Sequence, residues 1–123
     1  ALFNNFKNKR AVEVSRIQEE ITELNIESIT LTLENTLRNL VELYDARNQL
    51  VMISQQNLNY ATKAYDLAEK RFKTGALNSI DLMTFQSSYE STMIQHYENL
   101  FNRLDTYLEI HKLTGKLGLA YPK

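Results

Sequence analysis

Apolar residues recur every three or four positions through most of the chain. Leu58, Ala61, Tyr65, Ala68 and Phe72 step by alternating threes and fours, and Leu82, Phe85, Tyr89, Met93, Tyr97, Leu100, Leu104 and Tyr107 continue the same kind of seam. Upstream, Val14, Ile17, Ile21 and Leu24 form one seam and Leu33, Leu37, Leu40 and Tyr44 another. These two are out of register, so the stripe drifts around the helix as an unbroken heptad would not. Only Ile29-Thr30-Leu31-Thr32-Leu33 alternates as a strand does. Its neighbours are helical on both sides and no turn residues flank it, so helix is predicted there too.

Glycine and proline punctuate this pattern. None occurs before Gly75, none again until Gly115, and Gly118 and Pro122 follow close to the end. The spacing predicts a single all-α domain over 1–123, a long antiparallel, coiled-coil-like helical hairpin. Its parts are a helix over about 10–73, a tip turn at 74–78, a second helix over about 79–114 and a short tail at 115–123. Local chemistry agrees with the turn. Lys70, Arg71 and Lys73 fall in the last turn of the first helix, where cations complement the macrodipole. Asp66 and Lys70, like Glu69 and Lys73, form i,i+4 pairs in the favourable order. Gly75 suits a left-handed C′ position, Asn78 or Ser79 an N-cap, and Asp81 the first turn beyond it. With so few turn residues, an all-β sandwich is excluded.

At ~1.5 Å per residue the first helix would be roughly 95 Å long and the second roughly 55 Å. The first 25–30 residues of the longer one are therefore expected to lack a partner in this chain. Ile94, Phe101, Leu108 and Ile110 also lie away from the main seam of the second helix. Such a chain is expected to need neighbours.

Charge and composition narrow the function. The 123 residues carry 14 Lys+Arg against 15 Asp+Glu, a net charge of −1. With a pI of about 6.2 there is no electrostatic reason to expect nucleic acid. No apolar run approaches the ~20 residues of a spanning helix. The chain opens at Ala1 without Met, as expected of a mature, trimmed or excised sequence. With no Cys, thiol catalysis and thiolate metal sites are excluded, while Asn, Gln, Ser and Thr are abundant, as suits long wet helices. His96 and His111 each stand without a ligand partner at metal spacing, and surface or seam-edge positions are expected for both. No glycine-rich phosphate loop occurs, and Glu19, Glu23 and Glu27 read as a solvated face. No catalytic residue, metal site or cofactor is predicted.

Around the turn the residue order becomes specific. Ala68-Glu69-Lys70-Arg71-Phe72-Lys73-Thr74-Gly75-Ala76-Leu77-Asn78-Ser79-Ile80-Asp81-Leu82, followed by Gln86, resembles the A-x-x-R-[YF]-x-x-G-x-x-[ST]-x-x-[DE]-[LV]…Q stretch of the TolC-like outer-membrane efflux protein family. Leu2 to Arg10 resembles the end of a membrane β-strand running into that family's long periplasmic helix. Leu113-Thr114-Gly115-Lys116-Leu117 resembles the close of its final helix.

The resemblance implies the periplasmic helical part of the second repeat, a fragment of a trimeric α-barrel, at the outer membrane and periplasm of a Gram-negative bacterium. The membrane would be reached only through strands missing from this chain. It implies a passive tunnel for drug efflux or type I secretion whose tip docks to a membrane fusion (adaptor) protein. By position Thr74, Gly75, Ala76 and Leu77 would make that contact, although Gly75 serves equally as a helix C′ cap. Asp81 corresponds to an acidic position lining the channel constriction, and equally to a first-turn carboxylate. Thr84 stands where some members carry a second acid, and Phe72 and Leu77 stand where some place Tyr and Arg, which removes the partners of a polar latch. Phe72 is expected in the seam instead. An adaptor-type coiled-coil hairpin and a free-standing helical bundle are the alternatives to a tunnel segment.

Overall fold

A computed structural model describes residues 2–116. It contains two helices, α1 (Leu2–Lys73) and α2 (Ser79–Lys116), and no strand among the described residues. The first helix begins at Leu2 and not near residue 10. Nothing from Leu2 to Arg10 breaks a helix, and the strand end suggested by the resemblance is helical here. The second runs to Lys116; the rest of the expected tail lies outside the described residues.

The strand-like alternation at 29–33 is absorbed by side-chain hydrogen bonding. Thr30 Oγ1 donates to the Ile26 carbonyl at 2.8 Å and Thr32 Oγ1 to that of Ser28 at 2.9 Å. Thr22 and Thr36 do the same one turn back. A threonine hydroxyl satisfied by its own helix removes much of the reason for β-branched residues to leave it.

The chain divides into two compact units between Arg38 and Asn39. In the first, every side chain from Leu2 to Thr32 is exposed, including the seam of Val14, Ile17, Ile21 and Leu24. Helix propensity and i,i+4 contacts alone hold such a segment, because it buries no face.

The second unit is an antiparallel hairpin of the α1 residues from Asn39 on and α2. Its buried interior is narrow. Val51 and Ala68 are the buried apolar side chains, joined by the polar Ser54, His96 and Thr106. Tyr44 packs against Tyr107 with ring centroids 6.3 Å apart, and Tyr65 stacks on Tyr89 at 5.6 Å. On α2 the inward line runs through Tyr89, Met93, His96, Leu100, Arg103, Thr106 and Ile110. Tyr97 and Leu104, expected in that seam, are 60% and 51% exposed. Leu82, Tyr89, Met93 and Leu100 hold the expected line, while His96, Arg103 and Thr106 take the inward places expected of Tyr97, Leu104 and Tyr107, about 100° around the helix. Phe72, the penultimate residue of α1, also stays 43% exposed, where less of α2 remains to cover it.

Candidate functional site

The tip is closed by its own backbone. Ala76 N–H donates to the Arg71 carbonyl at 2.8 Å and Gly75 N–H to that of Phe72 at 3.0 Å. These are the two bonds of a Schellman motif, with Gly75 at C′. Its φ of +78° is the left-handed conformation that glycine adopts without a Cβ penalty. Thr74 adds a hydroxyl bond to the Arg71 carbonyl at 3.0 Å. Beyond the turn, Asn78 is the N-cap. Its Oδ1 accepts the Asp81 N–H at 2.7 Å, and its Nδ2 donates to Asp81 Oδ2 at 2.9 Å.

Thr74, Gly75 and Ala76 are exposed and contiguous, while Leu77 is half-buried beside them. Nothing lies within 4 Å of the position a Cβ would take at Gly75, so its backbone is open to approach. Asp81 is exposed in the first turn of α2, with its carboxylate tied to Asn78. Among the described residues, no group of three His, Cys, Asp or Glu is placed to hold a metal ion.

A second polar group lies in the seam, unanticipated from the apolar pattern. Ser54 Oγ–H donates to the Val51 carbonyl at 3.0 Å, which leaves its oxygen to accept from His96 Nδ1–H at 2.9 Å. His96 is thus buried and partnered, contrary to the surface or seam-edge position expected for it. Arg47 Nη1 donates to the Asn102 carbonyl at 2.9 Å and to Thr106 Oγ1, and Arg103 Nη1 to Asn48 Oδ1 at 2.8 Å. The signal in the sequence was that His96, Arg103 and Thr106 themselves keep the three-and-four spacing. Nearer the tip, the Tyr65 hydroxyl is raised above the ordinary tyrosine value of 10.0 by its hydrogen bond to Glu69. Desolvation and the charges of Glu69, Glu90 and Asp66 push the same way.

Compared with known proteins, residues 1–116 match a family model described as "Outer membrane efflux protein". No curated protein and no solved structure matches the chain.

Proposed function

The chain belongs to the outer membrane efflux protein family, whose members are channel proteins, and from that premise we propose that it forms part of the wall of a periplasmic tunnel. In this proposal the parent protein is a trimer, and the tip residues Thr74, Gly75, Ala76 and Leu77 dock to a membrane fusion (adaptor) protein.

The observation that supports it is a second apolar line on each helix of the hairpin. On α1, Leu43, Leu50, Ile53, Tyr60 and Leu67 are exposed, one residue around from the seam that faces α2. On α2, Ile80, Met83, Ile94, Tyr97, Phe101, Leu104 and Leu108 are exposed at heptad spacing. A helix with two seams is built for a neighbour on each side, as every helix in a closed α-barrel has. A freestanding hairpin has no use for the second line.

The tip supports docking by its chemistry as well as its place. The N–H groups of Thr74, Gly75 and Ala76 are bonded within the turn and no side chain crowds Gly75, so a partner can seat against the turn without unmaking it. Asp81 follows immediately, and three copies in a trimer would put a ring of carboxylates at the constriction and favour cations there.

Bulk at the tip is the test. In the full-length outer-membrane protein, Gly75→Trp and Ala76→Trp are expected to cut export and adaptor crosslinking by at least about tenfold. Ala76 needs no left-handed backbone, so its variant keeps the turn. Docking is assigned to the wrong place if both variants export and crosslink as the parent does.

A further inference from the structure

Between Glu27 and Glu34, the residues Ser28-Ile29-Thr30-Leu31-Thr32-Leu33 carry no charge, no glycine and no proline, and three of the six are β-branched. In α1 they belong to the unit that buries no face. At about 100° per residue Ile29 and Leu31 point roughly 200° apart, so one neighbouring helix cannot cover both. They are 60% and 53% exposed. A strand would instead put Ile29, Leu31 and Leu33 on one face and Ser28, Thr30 and Thr32 on the other.

Local forces divide here. The hydroxyl bonds of Thr30 and Thr32 satisfy those side chains within the helix, yet they leave the apolar ones scattered around it. Ile, Thr and Ser are also weaker helix formers than Leu. With no packed face to add to the turns themselves, opening this stretch costs little beside opening the hairpin. Leu50-Val51-Met52-Ile53-Ser54 is as free of charge, but there Val51 and Ser54 are buried in the hairpin.

We propose that, when the helix opens here, residues 28–33 pair as an antiparallel strand with the same residues of a second copy of this chain, centred on Leu31. In that register Ile29 meets Leu33, Thr30 meets Thr32 and Leu31 meets its own copy, so the six-residue core has one apolar face. Threonine facing threonine returns to both hydroxyls the hydrogen bonds lost with the helix. Glu34 comes opposite Ser28, and Glu27 opposite Asn35. A parallel in-register pair would instead set each glutamate against its own copy, and like charges directly opposite are destabilising. Both edges of the antiparallel pair stay open, so further copies add and the product grows into a cross-β stack.

Thioflavin T fluorescence of the agitated 123-residue chain tests it. After a lag the parent should lose helical dichroism, gain fluorescence and give a fibre reflection at about 4.7–4.8 Å. Ile53→Lys is the reference, because it adds one cation to the net charge of −1 in the other uncharged stretch, and its lag should match the parent's. Leu31→Lys adds the same charge but opposes two lysines at the centre of the pair, and should lengthen the lag at least about tenfold. Lysine keeps the helix propensity of leucine, so the starting dichroism should be unchanged. Ser28→Lys sets the new cation opposite Glu34 and should shorten the lag about threefold. The proposal is overturned if the parent does not convert, or if Leu31→Lys converts as fast as Ile53→Lys. It is equally overturned if Ser28→Lys converts no faster than Ile53→Lys, which points to parallel pairing, or if Ile53→Lys stops conversion, which places the strand at 50–54.

Discussion

At the scale of single residues, position along the helix decides what a side chain does more than its type. Tyr65 is the case with a measurable sign. Its hydrogen bond to Glu69, together with nearby carboxylates, favours the neutral phenol, so its folded value lies above 10.0. The stability it adds is present below the unfolded tyrosine value and is lost as pH rises through the raised folded one. Glu69→Gln should bring the Tyr65 titration back towards the ordinary range, followed by tyrosinate absorbance near 295 nm as the difference from matching Tyr65→Phe variants. An unchanged titration would mean that Glu69 is not the main cause. His96 shows the opposite lesson. As a lone histidine it reads as a surface or seam-edge group, yet with Ser54 opposite it is buried within the seam.

At the scale of elements, polar pairs cross the hairpin in at least three layers, Arg47 with Thr106, Asn48 with Arg103 and Ser54 with His96. Each fixes the register of α1 against α2, because a slip of one residue would leave the buried Ser54–His96 pair and the half-buried Arg47 and Arg103 without their partners. Ser54→Ala is expected to cost about 1–3 kcal/mol in urea unfolding, since the His96 nitrogen loses its partner. Ser54→Ala with His96→Leu should recover most of that loss. If the double variant is less stable than the single one, the layer contributes through packing and not through its hydrogen bond. These pairs also explain what was legible in the sequence. The two helices and the turn were, because glycine and proline are scarce and Gly75, Asn78 and Asp81 each match a local cap geometry. Leu82, Tyr89, Met93 and Leu100 of the α2 seam were legible and the inward places beside Tyr97 and Leu104 were not, because an apolar count cannot see that His96, Arg103 and Thr106 are tolerable inside once each has a partner. The start at Leu2 was missed because nothing in Leu2–Lys9 marks a helix beginning.

At the scale of the molecule, much of the apolar surface is still waiting for a partner. Phe101 is 72% exposed and Ile94 57%, on the second line of α2. Covering a side chain of this size gains roughly 1.5–3 kcal/mol, so a few such contacts suffice for association. Light scattering of the purified chain should give a mass above 14.3 kDa, and Phe101→Ser with Leu104→Ser should shift it towards the monomer. A monomer at every concentration up to about 100 μM would remove the support that the second seam lends to a tunnel wall. The family match fixes the class of protein, and the exposed lines then say which surfaces of this piece the rest of the assembly has to cover.

The self-capped turn carries a kinetic consequence. Tyr65 and Tyr89 are separated by 24 residues, Ser54 and His96 by 42, and Asn48 and Arg103 by 55. Closing the outermost of these first would cost the entropy of a long loop. Once the turn has formed, each further layer closes over only a few additional residues. Folding of the hairpin should therefore run as a zipper from Gly75 outward. Substitutions near Ala68 should slow refolding, and substitutions near Asn48 should mainly quicken unfolding, in stopped-flow measurements of both arms. Refolding slowed equally by both sets would mean that the helices meet along their length at once.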